Sequence, residues 1–303
     1  MDLAPEELQF LKLSDIFREA VAIPKHCPKT FYLIILTLIF PLSFANLPDS
    51  LSTDSLLADL KIYPQADPSQ TSHASTIFRS LLPFFYVIFI CAFTLFSTSA
   101  VVFTVASLYS SKPVSFSSTM SAIPKVFKPI FVTFSCLALL MLVYNLVLLT
   151  FLEIIATVAR GGLLLFLSLV AIILLFLVAY FYMSALWVVA SVVSVLEPVH
   201  GLAAMKKSRE LLKGKTRHAL ALVFLYSAAC LVINAVFDSV VVLGGNNYGV
   251  FVRIVVGGFL VCVLVIVNLV GLLVQSVFYY VCKSYHHQGI DKNALHDHLG
   301  EYL

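Results

Sequence analysis

Six long apolar runs constrain the fold of this chain more than any other feature of its sequence. About 20 consecutive apolar residues are enough to span the hydrocarbon core of a bilayer. Backbone polar groups must be satisfied internally in lipid, and the runs do not alternate as barrel strands do, so each run predicts a helix. The predicted spans are approximately 30–48, 80–110, 129–157, 163–195, 218–243 and 250–282.

The composition agrees with a membrane protein. Of the 303 residues, 60% are hydrophobic and only 12% are charged, whereas a soluble domain carries roughly a quarter charged residues. We therefore predict an all-α polytopic membrane protein. It has a cytosolic N-terminal segment with an amphipathic helix at 1–29, a six-helix transmembrane domain at 30–282 and a polar cytosolic tail at 283–303.

Lysine and arginine lie mainly on one side of these spans. Four precede the first span, three precede the third, six precede the fifth and two lie in the tail, against four on the other side. By the positive-inside rule, both termini are predicted to be cytosolic. No retention signal fixes the membrane, so both an endomembrane and the plasma membrane remain open.

The stretch EPVHGLAAMKKSRELLKGKTRHALAL, residues 197–222, lies between the fourth and fifth spans. Read as a helix, it places Gly201, Ala204, Met205, Ser208, Leu211 and Leu212 on one side. This pattern predicts a basic amphipathic helix that dips its apolar face into the membrane surface. A solvated helical loop is the alternative. Six basic residues are predicted to contact anionic lipid headgroups: Lys206, Lys207, Arg209, Lys213, Lys215 and Arg217.

Short matches suggest an internal repeat. Lys112-Pro113-Val114 precedes the third span as Glu197-Pro198-Val199 precedes the fifth, and the sequence Ala-Ile-Pro-Lys occurs at both 22–25 and 122–125. We predict three parallel units, each a cytosolic amphipathic helix followed by a two-helix hairpin. Chance similarity between segments of biased composition is the alternative.

Polar residues inside the apolar runs are candidates for function because they are costly in lipid. Asn145, Glu153, Asn234 and Asp238 form the predicted intramembrane polar site. One interpretation is a pair of carboxylates that binds a cation or proton. The other is structural, with hydrogen bonds between helices and with Arg253 pairing with Asp238 across the last hairpin.

No motif of a hydrolase, phosphate loop, dinucleotide fold or zinc protease occurs in the sequence. The histidines near the C-terminus do not form a convincing zinc site with a carboxylate. We therefore expect no enzymatic activity, no metal, no cofactor and no nucleic-acid partner. The expected partners are membrane lipids, anionic ones above all, and proteins at the cytosolic face.

Two long segments resemble a plant family of uncharacterised multi-pass membrane proteins: MDLAPEELQFLKLSDIFREAVAIPKHCPKTFYLIILTLIFPLSF and SVVSVLEPVHGLAAMKKSRELLKGKTRHAL. The shorter GLAAMKKSRELLKGK is similar to the cytoplasmic helix of the membrane domain attached to some bacterial glycerophosphoryl diester phosphodiesterases. The acidic metal ligands of the phosphodiesterase domain are not recognisable here, so its activity does not carry over. The resemblance implies the fold and a membrane role connected with lipid.

Two functions follow as alternatives. The first is a non-enzymatic scaffold or adaptor whose basic surface helix contacts anionic lipid, each lysine or arginine contributing on the order of 1 kcal/mol. Neutralising Lys206, Lys207, Lys213 and Lys215 should then weaken lipid binding without preventing insertion. The second is a small transporter or channel with a polar path between the helix repeats. An enzyme acting on lipid ranks third.

Overall fold

The computed structural model describes residues 11–47, 73–110, 116–158, 163–246 and 248–287, and within these ranges every regular element is a helix. The first ten residues, most of the loop between the first two predicted spans, and the histidine-containing tail from residue 288 onward lie outside the described residues. Among the described residues, six helices are long and apolar enough to cross a membrane, so the chain is a multi-pass membrane protein.

The helices follow one another in chain order. Their bounds are α1 Leu13–His26, α2 Pro28–Ile34, a π-helical turn Ile35–Ile39, α3 Phe40–Asn46, α4 His73–Tyr109, α5 Phe116–Val158, α6 Leu163–Leu196, α7 Leu202–Leu212, α8 Thr216–Phe237, a second π-helical turn Asp238–Val242, a 3₁₀ turn Leu243–Asn246, and α9 Val250–Tyr285.

The six apolar helices lie where the sequence predicts spans. The membrane-length segments are Pro28–Asn46, Phe85–Tyr109, Val126–Ile155, Phe166–Leu196, Thr216–Val242 and Val250–Tyr285. Most of their ends agree with the predicted ones to within a few residues. Length and hydropathy suffice for this prediction because the bilayer fixes both.

The second predicted surface helix is not a separate element, and this part of the repeat prediction is wrong. Residues from Phe116 onward continue without interruption into the third span as α5, through Pro124 and Pro129. By contrast, α7 and α8 are separated by a turn in which Gly214 adopts a φ of 84°. In the predicted repeat, Lys112 corresponds to Glu197, so Pro129 corresponds to Gly214. Proline holds φ near its helical value, whereas only glycine readily adopts the left-handed conformation that breaks the helix.

The described residues divide into two compact units. Of the described residues, those within Met1–Cys27, Thr98–Tyr226 and Leu272–Leu303 form the first unit, and those within Pro28–Ser97 and Ser227–Gly271 form the second. Helices α4, α8 and α9 each contribute a segment to both units.

In the first unit, α5 and α6 contact each other in antiparallel order. The Tyr144 hydroxyl donates a hydrogen bond to the Phe176 carbonyl oxygen at 2.5 Å. Nearer the other end, the rings of Phe134 and Trp187 meet edge to face with centroids 4.8 Å apart. Small and β-branched side chains near the end of α6 are fully buried, and they allow close helix packing: Ala185, Val189, Ala190, Val192 and Val193.

In the second unit, polar contacts join the spans. The Asn268 side-chain amide donates to the Ser43 hydroxyl at 2.8 Å, so it connects the last span to the first between two buried side chains. The Tyr86 hydroxyl donates to the Ala45 carbonyl oxygen at 2.8 Å. Such bonds fix which helix faces meet, because lipid offers no competing partners.

Candidate surface and charge cluster at the end of α6

Helix α7 is docked on protein through the face that the sequence predicts to be apolar. Ala204, Ser208 and Leu211 are buried, and α7 packs mainly against α6, with further contacts to α5. The Ser208 hydroxyl donates to the Leu186 carbonyl oxygen in α6 at 3.0 Å. The amphipathic pattern predicts that this face dips into the membrane surface, but in the structure α6 and α5 cover it instead. Side chains as small as alanine and serine let one helix approach another closely, which larger lipid-facing side chains would prevent.

Both ends of α7 are fixed. Before the helix, Gly201 adopts a φ of 65°, and its N–H donates to the Thr133 hydroxyl of α5 at 2.8 Å. After the helix, the left-handed Gly214 lies against the Tyr285 ring, where an added Cβ would come within 2.6 Å of a ring carbon. The His286 Nε2 atom lies 3.1 Å from the carbonyl oxygens of both Leu211 and Lys213. The orientation of α7 on the first unit is therefore well determined.

Glu197, the residue that follows α6, joins three elements. Its Oε2 atom lies 2.5 Å from the Lys207 ammonium of α7. Its Oε1 atom lies 3.2 Å from the Lys283 ammonium of α9 and accepts a hydrogen bond from the Tyr279 hydroxyl at 2.6 Å. Tyr279 and Lys283 are four residues apart, so they share one face of α9. We call Glu197, Lys207, Tyr279 and Lys283 the Glu197 cluster.

The carboxylate of this cluster is charged at neutral pH. Burial raises the pKa of Glu197, but hydrogen bonds from Lys207 and Tyr279, with the positive charges of Lys283 and Lys207, together hold it below the ordinary value. One anion faces two cations, so the cluster carries a net charge of +1. The lysine side chains remain 35% and 21% exposed, for Lys207 and Lys283 respectively, while Glu197 is 9% exposed.

The six predicted headgroup contacts fall into two groups. Lys207 belongs to the Glu197 cluster, and the Lys215 ammonium lies 5.2 Å from the centroid of the Tyr285 ring, a cation–π contact. The other four side chains are exposed, and we call them the exposed basic face: Lys206, Arg209, Lys213 and Arg217. These four present their charges to whatever surrounds this end of the protein.

The four residues of the predicted intramembrane polar site are divided between the two units. Asn145 and Glu153 belong to the first unit and are exposed, and the Asn145 amide donates to the Met141 carbonyl oxygen of its own helix at 2.7 Å. Asn234 lies in the second unit, and its side-chain amide donates to the Cys230 carbonyl oxygen of the same helix at 2.9 Å. These amide donors are satisfied within their own helices.

Asp238 differs from the other members. It begins the second π-helical turn, and its buried Oδ1 atom finds no hydrogen-bond partner among the residues that the structure describes. The predicted pairing with Arg253 is wrong, because the Arg253 Nε donates to the Val241 carbonyl oxygen at 2.8 Å instead. That carbonyl lies in the π-helical turn, where the regular helical bonding pattern changes and backbone oxygens become available.

The sequence analysis missed Glu197, Tyr279 and Lys283 as a group. Two signals could have indicated them. Glu197 is an acidic residue at the boundary between an apolar run and a basic stretch, where a cation is the expected neighbour. Tyr279 and Lys283 have the four-residue spacing of one helix face. Their distance of more than 80 residues from Glu197 hides the contact itself.

Among the described residues, no group of three or more histidine, cysteine, aspartate or glutamate side chains could hold a metal ion. The arrangement is a set of exposed basic side chains on α7 beside an ionic cluster whose carboxylate is buried and whose lysines are partly exposed. It defines a multi-pass helical membrane protein with a docked basic helix.

Comparison with protein families identifies the chain further. It matches the model described as Domain of unknown function (DUF8558) over residues 1–303, and it belongs to that family. No curated protein and no solved structure matches the chain. The resemblances to a plant family and to a bacterial phosphodiesterase membrane domain stay predictions.

Proposed function

We propose that this protein is a non-enzymatic membrane scaffold or adaptor whose exposed basic face contacts anionic lipid headgroups. The observation that carries the proposal is the docking of α7. Because protein covers its inward face and both of its ends are fixed, Lys206, Arg209 and Lys213 project outward without needing lipid to hold the helix in place. Because the helix backbone is already fixed, binding of these charges has a lower ordering cost.

The expected strength follows from the number of free charges. Each basic residue near an anionic leaflet contributes on the order of 1 kcal/mol. The exposed basic face would therefore contribute roughly 4 kcal/mol at moderate salt, and less as ionic strength rises because the charges are screened over about one Debye length.

The finer features of the sequence analysis support the same proposal. With both termini in the cytosol, the exposed basic face meets the cytoplasmic leaflet, which carries the anionic lipids. If the chain forms three hairpin units, α1 precedes the first unit as α7 precedes the third. Both helices would then lie on the cytosolic side. The resemblance to a plant membrane family and to the phosphodiesterase membrane domain connects the fold with lipid. An endomembrane or the plasma membrane fits equally.

A matched pair of variants tests the proposal. The test variant changes the four residues of the exposed basic face to glutamine. The control changes four exposed basic residues near the N-terminus, which are predicted to lie on the same side: Lys12, Arg18, Lys25 and Lys29. Both remove the same charge. Native mass spectrometry after release from native-lipid nanodiscs would measure anionic lipid retained at several salt concentrations.

The test variant should lose most of the salt-sensitive anionic lipid, and the control should lose little. Cysteine accessibility in both variants checks that topology is unchanged. Equal retention by the test variant, the control and the wild type would contradict the proposal. Equal loss in the two variants would also contradict it, because total charge and not the exposed basic face would then be responsible.

Asp238 supports a second candidate, a small transporter or channel. A buried carboxylate oxygen without a hydrogen-bond partner among the described residues is costly, and a bound cation would offset that cost. Flux across reconstituted vesicles that disappears in Asp238→Asn but persists in Glu153→Gln would establish this function. Glu153 is the matched control because its side chain is exposed. Absence of flux in the wild type would dismiss it.

A further inference from the structure

The Glu197 cluster holds more hydrogen-bond donors and positive charge than its single carboxylate uses. Each ammonium group has three N–H donors. Lys207 directs one towards Glu197. Lys283 directs one towards Glu197 and lies 3.4 Å from the Tyr279 hydroxyl. Donors therefore remain on both ammonium groups, and both side chains are partly exposed.

We infer that Lys207 and Lys283 together bind one phosphate group of a monoanionic phosphodiester. The two ammonium groups contact the two oxygens of the same carboxylate, at 2.5 Å for Lys207 and 3.2 Å for Lys283, and a tetrahedral anion placed beside that carboxylate would contact both. A single negative charge neutralises the net +1 of the cluster. Lysine binds phosphate as a point charge without a required fork geometry, so partial exposure suffices.

The site is built rather than incidental. Glu197 and Tyr279 are both buried, so the carboxylate and its neutral donor are fixed by the surrounding protein. Tyr279 occupies one carboxylate oxygen with its hydroxyl and thereby sets the direction from which Lys283 approaches. The lysines come from α7 and α9, so an anion bound between them would also hold α7 in place.

The phosphodiester has two sources, a phospholipid headgroup and a soluble molecule with the same group. The lipid source rests on the proposed function, because it requires this end of the protein to lie at an anionic surface. The site itself does not use any residue of the exposed basic face. The two inferences can therefore fail separately.

Two substitutions should act in opposite directions. Lys283→Met removes one positive charge and should weaken binding of short-chain phosphatidylglycerol about fivefold, since one basic residue contributes on the order of 1 kcal/mol. Glu197→Gln keeps an acceptor for Tyr279 but raises the net charge to +2, so it should tighten binding about fivefold. Lys25→Met, an exposed residue of α1, is the charge-matched control and should change binding less than twofold.

The measurement is a titration of the purified full chain in neutral detergent, read by native mass spectrometry as the fraction carrying one lipid. Lys207→Met repeats the first substitution from α7, so a folding failure in one variant does not decide the result. A defect in folding would reduce binding in every variant. Opposite shifts in Glu197→Gln and Lys283→Met therefore cannot come from misfolding.

Inorganic phosphate at millimolar concentration, added to the lipid-bound wild type, separates the two sources. Retention of the lipid would support a headgroup site, whereas displacement would support a site for the phosphate group alone. No saturable binding in the wild type, or shifts of the same sign in the two main variants, would overturn the inference. A further outcome is that Glu197→Gln and Lys283→Met shift binding in opposite directions while the glutamine variant of the exposed basic face retains as much lipid as its control. In that case the proposed function fails and the phosphate site stands.

Discussion

Two adjacent tyrosines of α9 provide a sharp test of the Glu197 cluster. Tyr279 and Tyr280 are both buried, at 1% and 2% exposure. The Tyr279 hydroxyl donates to Glu197 at 2.6 Å, whereas the Tyr280 hydroxyl is buried and has no hydrogen-bond partner among the described residues. Replacing each with phenylalanine removes the same atom from neighbouring positions of one helix. The two substitutions should nevertheless differ in their effect on stability.

The magnitude follows from the partners of each hydroxyl. A hydrogen bond to a charged group contributes about 1.5–3 kcal/mol. Glu197 retains both lysines in Tyr279→Phe, so we expect a loss of about 2 kcal/mol, within that range. Tyr280→Phe removes a buried polar atom that has no protein partner and keeps the ring contact with Tyr109 at 4.3 Å. This substitution should be neutral or stabilising.

Reversible unfolding in mixed detergent micelles measures both variants against the wild type. A loss of about 2 kcal/mol changes the folded-to-unfolded ratio by roughly 30-fold. A double-mutant cycle with Glu197→Gln assigns the loss to the cluster, because Tyr279→Phe should then cost much less. Equal destabilisation by the two phenylalanine variants, or no coupling between Tyr279 and Glu197, would refute the reasoning.

Three further contrasts follow from the described contacts. Gly214→Ala should lower the free energy of unfolding by about 1–2 kcal/mol, because Gly214 has a left-handed φ and the Tyr285 ring lies close to it. Gly258→Ala should be neutral or stabilising in the same unfolding assay, because an added Cβ at Gly258 would have no neighbour within 4 Å. Asn268→Val should lower the free energy of unfolding more than Asn234→Val does, by roughly 0.6 kcal/mol. Of these two side chains, only Asn268 donates a hydrogen bond to another helix. Equal losses of stability in the two variants would contradict this prediction. The pKa of Glu197 is lowered from 4.5, so its stabilising contribution is present above about pH 4.5 and is lost as pH falls through the depressed folded-state pKa. Glu197→Gln should therefore flatten the stability profile below pH 4.5, and an unchanged slope would contradict the assignment.

The sequence predicts the positions of the long apolar helices well because one physical property, hydropathy over a sufficient length, defines them. A bilayer demands apolar runs of a certain length, and runs such as Phe166–Leu196 meet that demand without help from the rest of the chain. Helical spacing also places Ala204, Ser208 and Leu211 on one side of α7, and these side chains are buried in the structure.

What covers that side of α7 could not be predicted from periodicity. A helical face of small and apolar residues is equally consistent with lipid and with another helix, and the choice depends on how close the α6 backbone comes. The hydrogen bond from the Ser208 hydroxyl to the Leu186 carbonyl oxygen shows that another helix covers this face. The two residues are 22 positions apart in the sequence. Glu197 shows the same difficulty over a longer distance, because its partners Tyr279 and Lys283 lie on a helix that is remote in sequence.

The basic residues that determine the orientation of the helices in the membrane need not be the ones that are exposed after folding. Lysines and arginines bias orientation when the helices insert, before α7 can dock, so all six basic residues of the stretch count at that stage. After folding, Lys207 faces Glu197 and Lys215 lies over Tyr285, which leaves the exposed basic face and the net +1 of the Glu197 cluster. A basic stretch read from sequence therefore overestimates the charge available to lipid. The difference is set by two contacts within the protein, the pairing of Lys207 with Glu197 and the position of Lys215 over the Tyr285 ring.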